Sequence, residues 1–476
     1  MSHSKRIAGN AVILFTSNVL RHVLSFVLVV LIARYLGDEG LGQYSFAFAF
    51  VSLFIVFIDL GLETFMIREV ARDESKVRKY TNNILTIRLI AGVIVILAAT
   101  IIAKLSNLSN QMVFLIFLGS ISLFLIQILY VFCVAFISLQ KTAFDALFKL
   151  VERIAVFLIV IGVLLSGKGI LGLFIGIIAG SFVSVIFSFI ITSIKIGLIK
   201  FQYEKEFWIY LLKKSLPFLA TNIFLVIYFR IDTVMLGFIT DYAVVGWYNA
   251  AYKLIDGLSF IPIVGLLAVY PAMSKFFKEN KEYLKITFER TFKYMLMLAI
   301  PISIGTTFLA ARLIEFLYKI EFSQSGLALQ ILIWAELFVF LNYVMGYLLN
   351  SINKQKLFAI VSGIAVLVNV ILNLLLIPSL SLYGAAIATV ITQLINFFML
   401  YYLASKNGFK LKLFRMSYKM IIAGMIMGIL IYYLLDLHIL LIIPIAGIAY
   451  FIILLITRSI GKEEFDVVKQ FFHKSP

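Results

Sequence analysis

The chain has 476 residues, of which 63% are hydrophobic and 14% are charged, and its mean hydropathy is +1.07. An average globular chain is about 45–50% apolar and about 25% charged. The composition therefore excludes a cytosolic enzyme, a DNA-binding protein and a disordered scaffold, and it predicts a polytopic membrane protein. The one cysteine, Cys133, excludes an intramolecular disulfide and a cysteine-based metal site.

Apolar windows predict an all-α protein with fourteen transmembrane helices. Each window has the length of about 20 residues that crosses the hydrocarbon core. The first window leads directly into the second, so we expect no cleavable signal peptide. The windows are roughly 11–35, 42–65, 84–104, 112–138, 149–166, 170–193, 215–240, 243–271, 293–318, 325–351, 358–378, 383–404, 416–434 and 437–457.

The basic residues are distributed unequally between the two sides of these predicted helices. Of the 41 lysines and arginines, 31 lie in the N-terminus, the even-to-odd connections and the C-terminal tail, whereas four lie in the odd-to-even connections. By the positive-inside rule, both termini are cytoplasmic. Topology thus explains the net charge of +17. We expect no nucleic-acid partner, and anionic membrane lipids as contacts of the basic side.

Short repeated motifs indicate an internal duplication. Ser17-Asn18 and Gly42-Gln43-Tyr44 recur as Thr221-Asn222 and Gly246-Trp247-Tyr248, both at an offset of 204 residues, and Gln140-Lys141 recurs as Asn353-Lys354 at an offset of 213. Because each repeat has an even number of helices, six, both repeats begin on the same side of the membrane and are therefore parallel. We therefore predict an N-terminal lobe (1–200), a C-terminal lobe (201–412) and two extra helices with a cytoplasmic tail (413–476). Transporters of this kind bind substrate near the midplane and rock their lobes around it.

The motif Ala33-Arg34-Tyr35-Leu36-Gly37-Asp38-Glu39-Gly40-Leu41-Gly42-Gln43-Tyr44 is followed by Asp59-Leu60-Gly61-Leu62 and Arg68-Glu69. This pattern resembles the N-terminal signature of the polysaccharide transporter family, the O-antigen-type flippases of the multidrug/oligosaccharidyl-lipid/polysaccharide exporter superfamily. The resemblance implies a multi-pass protein of the cell membrane that moves polyprenyl- or dolichyl-linked oligosaccharides from the cytoplasmic to the outer leaflet by alternating access. It also makes the glycan assembly machinery a candidate partner.

Two other functions are weighed against this one. A cation-coupled small-molecule or multidrug extruder usually has twelve spans, so the last two helices oppose it. A membrane glycosyltransferase, polymerase or ligase generally has a sizeable outer loop with catalytic groups, and the outer connections here are short. We therefore expect a transporter and no enzyme, with no cofactor, no metal site and no catalytic residue.

Ionisable residues inside the predicted helices are candidate site residues, because a buried charge in a membrane is costly. Asp59, Glu63, Arg88, Glu152 and Arg153 lie near a cytoplasmic helix end, where ion pairing and snorkelling are expected. The deeper set is predicted to line a cavity; its members are Arg21, Arg230, Lys253, Asp256 and Glu336.

Arginine binds phosphate through charge-assisted, often bidentate hydrogen bonds. We therefore predict that Arg21, Arg230, Lys253 and Arg312 bind the phosphate or pyrophosphate of the substrate. The amides of Asn18 and Asn222 are predicted to bind sugar hydroxyls, with interhelical hydrogen bonding as the alternative.

Spacing leaves further alternatives open for the charged residues. Lys253 with Asp256, and Arg312 with Glu315, are three residues apart and could simply form pairs. Arg230 and Asp232 face different sides of a helix, so each needs another partner. Asp256 and Glu336 are candidates for coupling transport to a proton or sodium gradient.

Two backbone features complete the sequence interpretation. Gly257, Pro262, Gly265 and Pro271 predict a kinked or broken eighth span, which either assists rocking or is a static kink. Residues 167–172 match the pattern GxGxxG but follow no strand, so we interpret them as a glycine-rich turn.

Overall fold

The computed structural model describes residues 3–459, apart from the side chains of residues 3–13, 220, 221 and 268. The described part contains helices and connections but no strand, which confirms the all-α fold. The predicted tail beyond residue 459 lies outside the described residues. The helices are α1 (His3–Asp59), α2 (Leu62–Val70), α3 (Val77–Leu105), α4 (Asn110–Ser138), α5 (Thr142–Leu165), α6 (Gly169–Ile196), α7 (Lys205–Ile239), α8 (Tyr242–Leu258), α9 (Phe260–Glu279), α10 (Lys281–Leu317), α11 (Gln324–Ser351), α12 (Gln355–Lys406), α13 (Leu413–Tyr433) and α14 (Ile439–Ile456).

The helix lengths are consistent with fourteen membrane crossings. Eleven segments among the described residues are long and apolar enough to span a membrane. Two of them contain a break: α1 at Gly37 (φ 72°) and α12 at Ser381 (φ 54°). Each break separates two of the predicted windows. Helix α5 is not among the eleven, because its first half carries Asp145, Lys149, Glu152 and Arg153.

The described helices divide into two compact units between Asn249 and Ala250, inside α8. In the first unit, a buried core around Phe65, Phe132 and Phe148 joins α2, α4 and α5. In the second, Phe288 and Leu341 belong to a core that joins α10 and α11. The predicted lobes rest on repeat symmetry rather than on packing, so their boundaries at residues 200 and 412 stay a prediction.

Large apolar side chains on the outside of the helices fit a lipid environment. On α3, Ile94, Leu97 and Ile101 are all more than half exposed. A soluble protein rarely leaves so much contiguous apolar surface in contact with water. This surface is what a helix in contact with lipid is expected to carry.

The turns at the two repeated Gln/Asn-Lys motifs have the same backbone structure. Gln140 (φ 56°), between α4 and α5, and Asn353 (φ 59°), between α11 and α12, both adopt the left-handed conformation. The Lys141 amide donates to the carbonyl of Phe136 at 2.9 Å, and the Lys354 amide donates to that of Leu349 at 2.8 Å. Both contacts close a turn of the kind that ends helices. The matching geometry supports the duplication that the sequence predicts.

The two repeated glycines lie against each other in the first unit. A Cβ at Gly42 would lie 1.7 Å from the carbonyl oxygen of Tyr242, and a Cβ at Gly246 would lie 2.0 Å from that of Asp38. Only glycine permits two helix backbones to approach this closely. The indole of Trp247 donates to Asp38 Oδ2 at 2.9 Å beside the contact. The motif residues therefore join the second half of α1 to α8.

The eighth span is broken, as the sequence predicts. Helix α8 ends at Leu258 and α9 begins at Phe260, with Ser259 between them and Pro262 in the first turn of α9. Proline is tolerated in a first helical turn, where its missing N–H is not needed. The Ser259 hydroxyl at this break donates to Glu336 Oε1 at 2.8 Å.

Candidate functional site

Six basic residues lie inside the predicted spans at least four residues from either end, and their environments sort them into two groups. Three of them have partners that account for their charge or their donors. Of the other three, two lie near one carboxylate, Glu152, and the third lies near Tyr44. The first group consists of Arg88, Lys253 and Arg312. The second group consists of Arg21, Arg153 and Arg230.

Arg88 on α3 is at the centre of a buried polar network in the first unit, and its side chain is 0% exposed. Its guanidinium donates to Asp59 Oδ1, to Glu63 Oε1 at 2.9 Å and to the carbonyl of Gln127 at 2.6 Å. Asn222 donates to the other oxygen of Asp59 at 3.1 Å. Ion pairing is therefore confirmed here, but snorkelling is wrong for Arg88, because no part of the side chain reaches the surface of the protein.

Asp59 in this network also fixes the backbone after the first long helix. Its carboxylate accepts from the amides of Gly61 at 3.2 Å and Glu63 at 3.3 Å. Leu60 and Gly61 have positive φ, so the chain turns sharply between α1 and α2. The turn brings Asp59 and Glu63, from two helices, onto the same guanidinium.

The other two partnered cations lie in the second unit. Arg312 Nη1 on α10 donates to the carbonyls of Leu435 and, at 3.0 Å, of Leu437, so it holds the turn between α13 and α14. No ion pair among the described residues joins it to Glu315. Lys253 pairs with Asp256 at 2.9 Å, which is the self-contained pair that the spacing allows. A substrate-binding role for Lys253 and Arg312 stays a prediction.

The remaining arginines lie together in the first unit and define the arginine cluster: Arg21 on α1, Arg153 on α5 and Arg230 on α7. Glu152 is 3.8 Å from Arg153 and also lies within electrostatic range of Arg21. Tyr44, on the second half of α1, lies within electrostatic range of Arg153, Arg230 and Glu152. Arg21 and Arg153 thus share one carboxylate, and no ion pair among the described residues includes Arg230, which leaves a formal excess of two positive charges in membrane-spanning helices.

Some guanidinium donors of the arginine cluster have no acceptor among the described residues. Within the described residues, no hydrogen bond or ion pair engages the side chain of Arg21 or Arg230, and Arg153 Nε is buried without a hydrogen-bond acceptor. Guanidinium donors in a membrane protein are normally satisfied. The spare donors and the excess charge therefore make this cluster suited to an anion with several oxygen atoms.

Asn18 and Asn222, predicted to bind sugar, differ in their surroundings. Asn18 is half-buried on α1 three residues before Arg21, so both side chains lie on one helix face. Asn222 is engaged by Asp59, which is the interhelical hydrogen bonding given as its alternative.

Asp232, two residues after Arg230, has a hydrogen-bond partner on a neighbouring helix. Asp232 is buried and accepts from the Tyr248 hydroxyl at 2.9 Å. Tyr248 belongs to the repeated motif, so this bond joins α7 to α8. Arg230 lies within electrostatic range of Tyr44.

Glu336 is the buried carboxylate of the second unit. It is 3% exposed on α11, accepts from Ser259 at the break of the eighth span, and lies within electrostatic range of Asp256. None of the ion pairs among the described residues includes it. Asp256 is half exposed and already paired with Lys253. The two residues predicted for ion coupling are thus near each other, and Glu336 is the one without a countercharge.

Sequence reasoning missed two parts of this arrangement. It assigned Glu152 and Arg153 to the interface, whereas the structure brings them beside Arg21 and Tyr44. It also treated Asp59, Glu63 and Arg88 separately from Asn222. The links that were missed, of Glu152 to Arg21 and of Asn222 to Asp59, each join residues more than 100 positions apart, and no local spacing in the sequence encodes them.

Comparisons with known protein families match most of the chain. A family model described as polysaccharide biosynthesis protein matches residues 7–277, which is more than half of the 476 residues. A second model, described as MatE, matches residues 217–375.

Curated relatives align with parts or most of the chain. MJ1068 of Methanocaldococcus jannaschii, an uncharacterized membrane protein, is 28% identical over 149 residues, covering 31% of this chain and 29% of its own length. Agl15 of Haloferax volcanii, a probable low-salt glycan biosynthesis flippase, is 23% identical over 207 residues, covering 42% of this chain and 44% of its own length. This chain therefore spans less than half the length of either. CapF of Staphylococcus aureus, a capsular polysaccharide biosynthesis protein, is 24% identical over 416 residues, covering 82% of this chain and 97% of its own length.

Solved structures share the fold. The lipid II flippase MurJ in an inward closed conformation has a TM-score of 0.77 at 20% identity, covering 94% of this chain and 99% of its own. An inward-facing multidrug resistance MATE transporter of the MOP superfamily has a TM-score of 0.68 at 14% identity, covering 81% of this chain and 94% of its own. At these identities the likeness establishes the fold alone.

Proposed function

Because the chain belongs to the polysaccharide biosynthesis protein family, we propose that it is a flippase for lipid-linked oligosaccharides. It is a multi-pass membrane protein of the multidrug/oligosaccharidyl-lipid/polysaccharide exporter superfamily. In this proposal, the protein moves polyprenyl- or dolichyl-linked oligosaccharide units from the cytoplasmic to the outer leaflet, for the assembly of cell-surface polysaccharide or glycoprotein.

The observation that carries the proposal is the arginine cluster. A lipid-linked oligosaccharide presents a phosphate or pyrophosphate beside a hydrophilic glycan, and moving that group through hydrocarbon is costly unless the protein replaces its water. Arg21, Arg153 and Arg230 offer donors that are not consumed inside the protein, and a charge excess that an anionic group would neutralise. Arginine suits this task because its rigid fork donates two parallel hydrogen bonds to phosphate oxygens.

The path of the substrate follows from the same chemistry. Arg21 and Arg230 hold the phosphate, while Asn18, on the Arg21 face of α1, donates to a neighbouring sugar hydroxyl. The polyprenyl tail needs no polar site, because it stays in lipid throughout. Binding would favour one conformation over the other, and alternating access would then present the headgroup to each side in turn.

The first test measures flipping directly. We expect the reconstituted protein to move a fluorescent lipid-linked oligosaccharide across proteoliposomes, scored by accessibility to an impermeant quencher. Arg230→Ala and Arg21→Ala should each slow this movement by about tenfold or more, because each loses a charge-assisted hydrogen bond to phosphate. The matched control is Arg415→Ala, which removes an exposed arginine outside the cluster.

The outcomes of this assay separate the two transport functions. Wild-type flipping in both cluster variants would remove Arg21 and Arg230 from the site. A multidrug extruder is the second candidate, favoured by the MatE match over residues 217–375. Efflux of small cationic dyes, with no movement of any lipid-linked glycan, would establish that alternative.

A second test addresses ion coupling, which we assign to Glu336. Glu336→Gln keeps the size and a hydrogen-bond acceptor for Ser259 but removes the charge, so we expect transport to lose its dependence on pH or sodium while headgroup binding is retained. Asp256→Asn should have the smaller effect, because Asp256 is half exposed and paired with Lys253. An unchanged ion dependence of transport in Glu336→Gln would exclude this residue from coupling.

A further inference from the structure

The connection between α6 and α7, residues 197–204, is extended and bound along the start of α3. The Lys200 amide donates to Asn82 Oδ1 at 3.2 Å, and the Gln202 amide donates to Thr86 Oγ1 at 3.0 Å. The Asn82 side chain also donates to Gln202 Oε1 at 3.4 Å. These bonds hold the connection in a fixed register, so that side chains from both segments face a common pocket.

The pocket has a volume of about 440 Å³ and is open to the surface. Its walls come from the residues just before and at the start of α3 and from the connection. Asn82 lies at its base, where it is 4% exposed. The other lining residues that matter here are Ser75, Arg78, Lys79, Lys200 and Gln202.

The charge of this pocket is only partly neutralised inside the protein. Lys79 donates to Glu204 Oε2 at 2.5 Å, and this hydrogen bond lowers the pKa of the Glu204 carboxyl below its usual value, so the pair remains charged. Arg78 and Lys200, in contrast, have no carboxylate partner among the described residues. Two cations therefore face the pocket without a countercharge.

A backbone feature gives the Arg78 side chain its place. Gly197 has φ 110°, and a Cβ there would lie 3.6 Å from Arg78 Nη1. The guanidinium thus packs over the Gly197 backbone, at the end of α6, and this packing holds it in place without an ion pair to its own helix. Ser75 and Gln202 also line the pocket. Ser75 Oγ donates to Asp73 Oδ1 and Gln202 Nε2 donates to Glu204 Oε1, each at 2.6 Å, so the oxygen atoms of the two side chains are what they offer to a ligand.

Apolar side chains beside the pocket indicate that it opens at a membrane boundary. Leu198, Phe201 and Tyr203 are 58%, 76% and 67% exposed on the same extended connection. Aromatic residues next to lysine and arginine are typical of the membrane interface, at the level of lipid headgroups. The sequence predicts that this connection is on the cytoplasmic side, where anionic lipids attract basic segments.

We propose that this pocket binds a phosphate group, and specifically the phosphodiester of an anionic phospholipid headgroup. Arg78 and Lys200 would pair with the phosphate oxygens, while Ser75 Oγ and Gln202 Oε1 would accept hydrogen bonds from hydroxyl groups of the headgroup. The exposed Phe201 would lie against the glycerol and upper acyl region. The site lies on residues 75–204 and does not involve the arginine cluster, so it stands independently of the proposed flippase activity.

The test uses the full chain in detergent and native mass spectrometry, with dioleoylphosphatidylglycerol, dioleoylphosphatidylcholine and inorganic phosphate as three separate probes. The pocket variant is the double substitution Arg78→Ala with Lys200→Ala. The matched control is Lys213→Ala with Lys214→Ala, which removes two exposed charges on α7 outside the pocket. Thermal unfolding of both variants checks that the fold is retained, which we expect because all four side chains are at the surface.

The expected result is a bound phosphatidylglycerol in wild type and in the control, preferred over phosphatidylcholine, and bound about tenfold or more weakly in the pocket variant because two charge-assisted contacts are lost. Binding of inorganic phosphate that the pocket variant loses, without a preference for phosphatidylglycerol, would identify free phosphate as the source of the same chemistry. Equal phosphatidylglycerol and phosphate binding by wild type and the pocket variant would overturn the proposal. Equal losses in the pocket variant and the control would overturn it as well, since they would indicate general surface charge.

Discussion

Replacing Arg88 by alanine is expected to lower the free energy of unfolding by about 3–5 kcal/mol, the largest loss of stability among single substitutions of charged residues in this chain. The substitution leaves Asp59 and Glu63 in place without their countercharge. It also removes the donor to the Gln127 carbonyl. Because the guanidinium is buried completely, water cannot replace it without opening the packing of α1, α2 and α3.

The measurement is unfolding in mixed micelles by denaturant titration, with helix content as the signal. The control is Arg72→Ala, whose exposed pair with Glu69 at 3.4 Å should contribute less than about 1 kcal/mol. A triple variant, Arg88→Met with Asp59→Asn and Glu63→Gln, removes all three charges together. It should recover much of the loss, because a buried ion group replaced as a whole leaves no uncompensated charge. An Arg88→Ala protein as stable as the Arg72→Ala protein would contradict the buried network.

The second large effect is expected at Gly42. An alanine there would place its Cβ 1.7 Å from the Tyr242 carbonyl oxygen, which is backbone and cannot rotate away. Helices α1 and α8 must separate to relieve the clash, and we expect a loss of about 1–3 kcal/mol in the free energy of unfolding. Gly246→Ala should behave in the same way, since its Cβ would meet the Asp38 carbonyl oxygen at 2.0 Å.

The control substitution is expected to change the free energy of unfolding in the opposite direction. Gly162 lies inside α5, and a Cβ at this position would meet no other atom within 4 Å. Gly162→Ala should therefore stabilise the helix by up to about 1 kcal/mol through backbone entropy alone. Both changes add the same methyl group to a helix. If Gly42→Ala were to raise stability as Gly162→Ala does, the close contact between α1 and α8 would not exist in the membrane.

The sequence predicts the helices well because the bilayer sets their length and apolar character. The broken eighth span was also predictable, since Pro262 cannot donate the amide that a continuous helix needs there. The breaks at Gly37 and Ser381 fall between predicted windows, where both residues have non-helical backbone angles. Local chemistry thus accounts for where the chain spans and where it bends.

The partners of the charged residues could not be predicted in the same way. Distance from a helix end suggested that Arg88 would reach the interface, but the carboxylates that hold it come from α1 and α2. Arg312 lies three residues before Glu315, yet it binds the carbonyls of a turn more than 120 residues further along the chain. Which cations are neutralised and which remain available is decided by tertiary packing, and this distinction separates the arginine cluster from the rest.

The contact between Gly42 and Gly246 also bears on the predicted duplication. The two glycines correspond at the offset of 204 residues, and the backbone atoms they meet, at Tyr242 and Asp38, correspond at the same offset, so each predicted repeat presents the same patch to the other. This is the signature of an isologous interface, in which a surface patch of a two-fold dimer meets its copy. The residues that follow the two glycines, Gln43 and Trp247, differ from each other, whereas the close approach requires glycine on both sides. Sequence divergence between the predicted repeats is therefore restricted at this one pair of positions and permitted beside it.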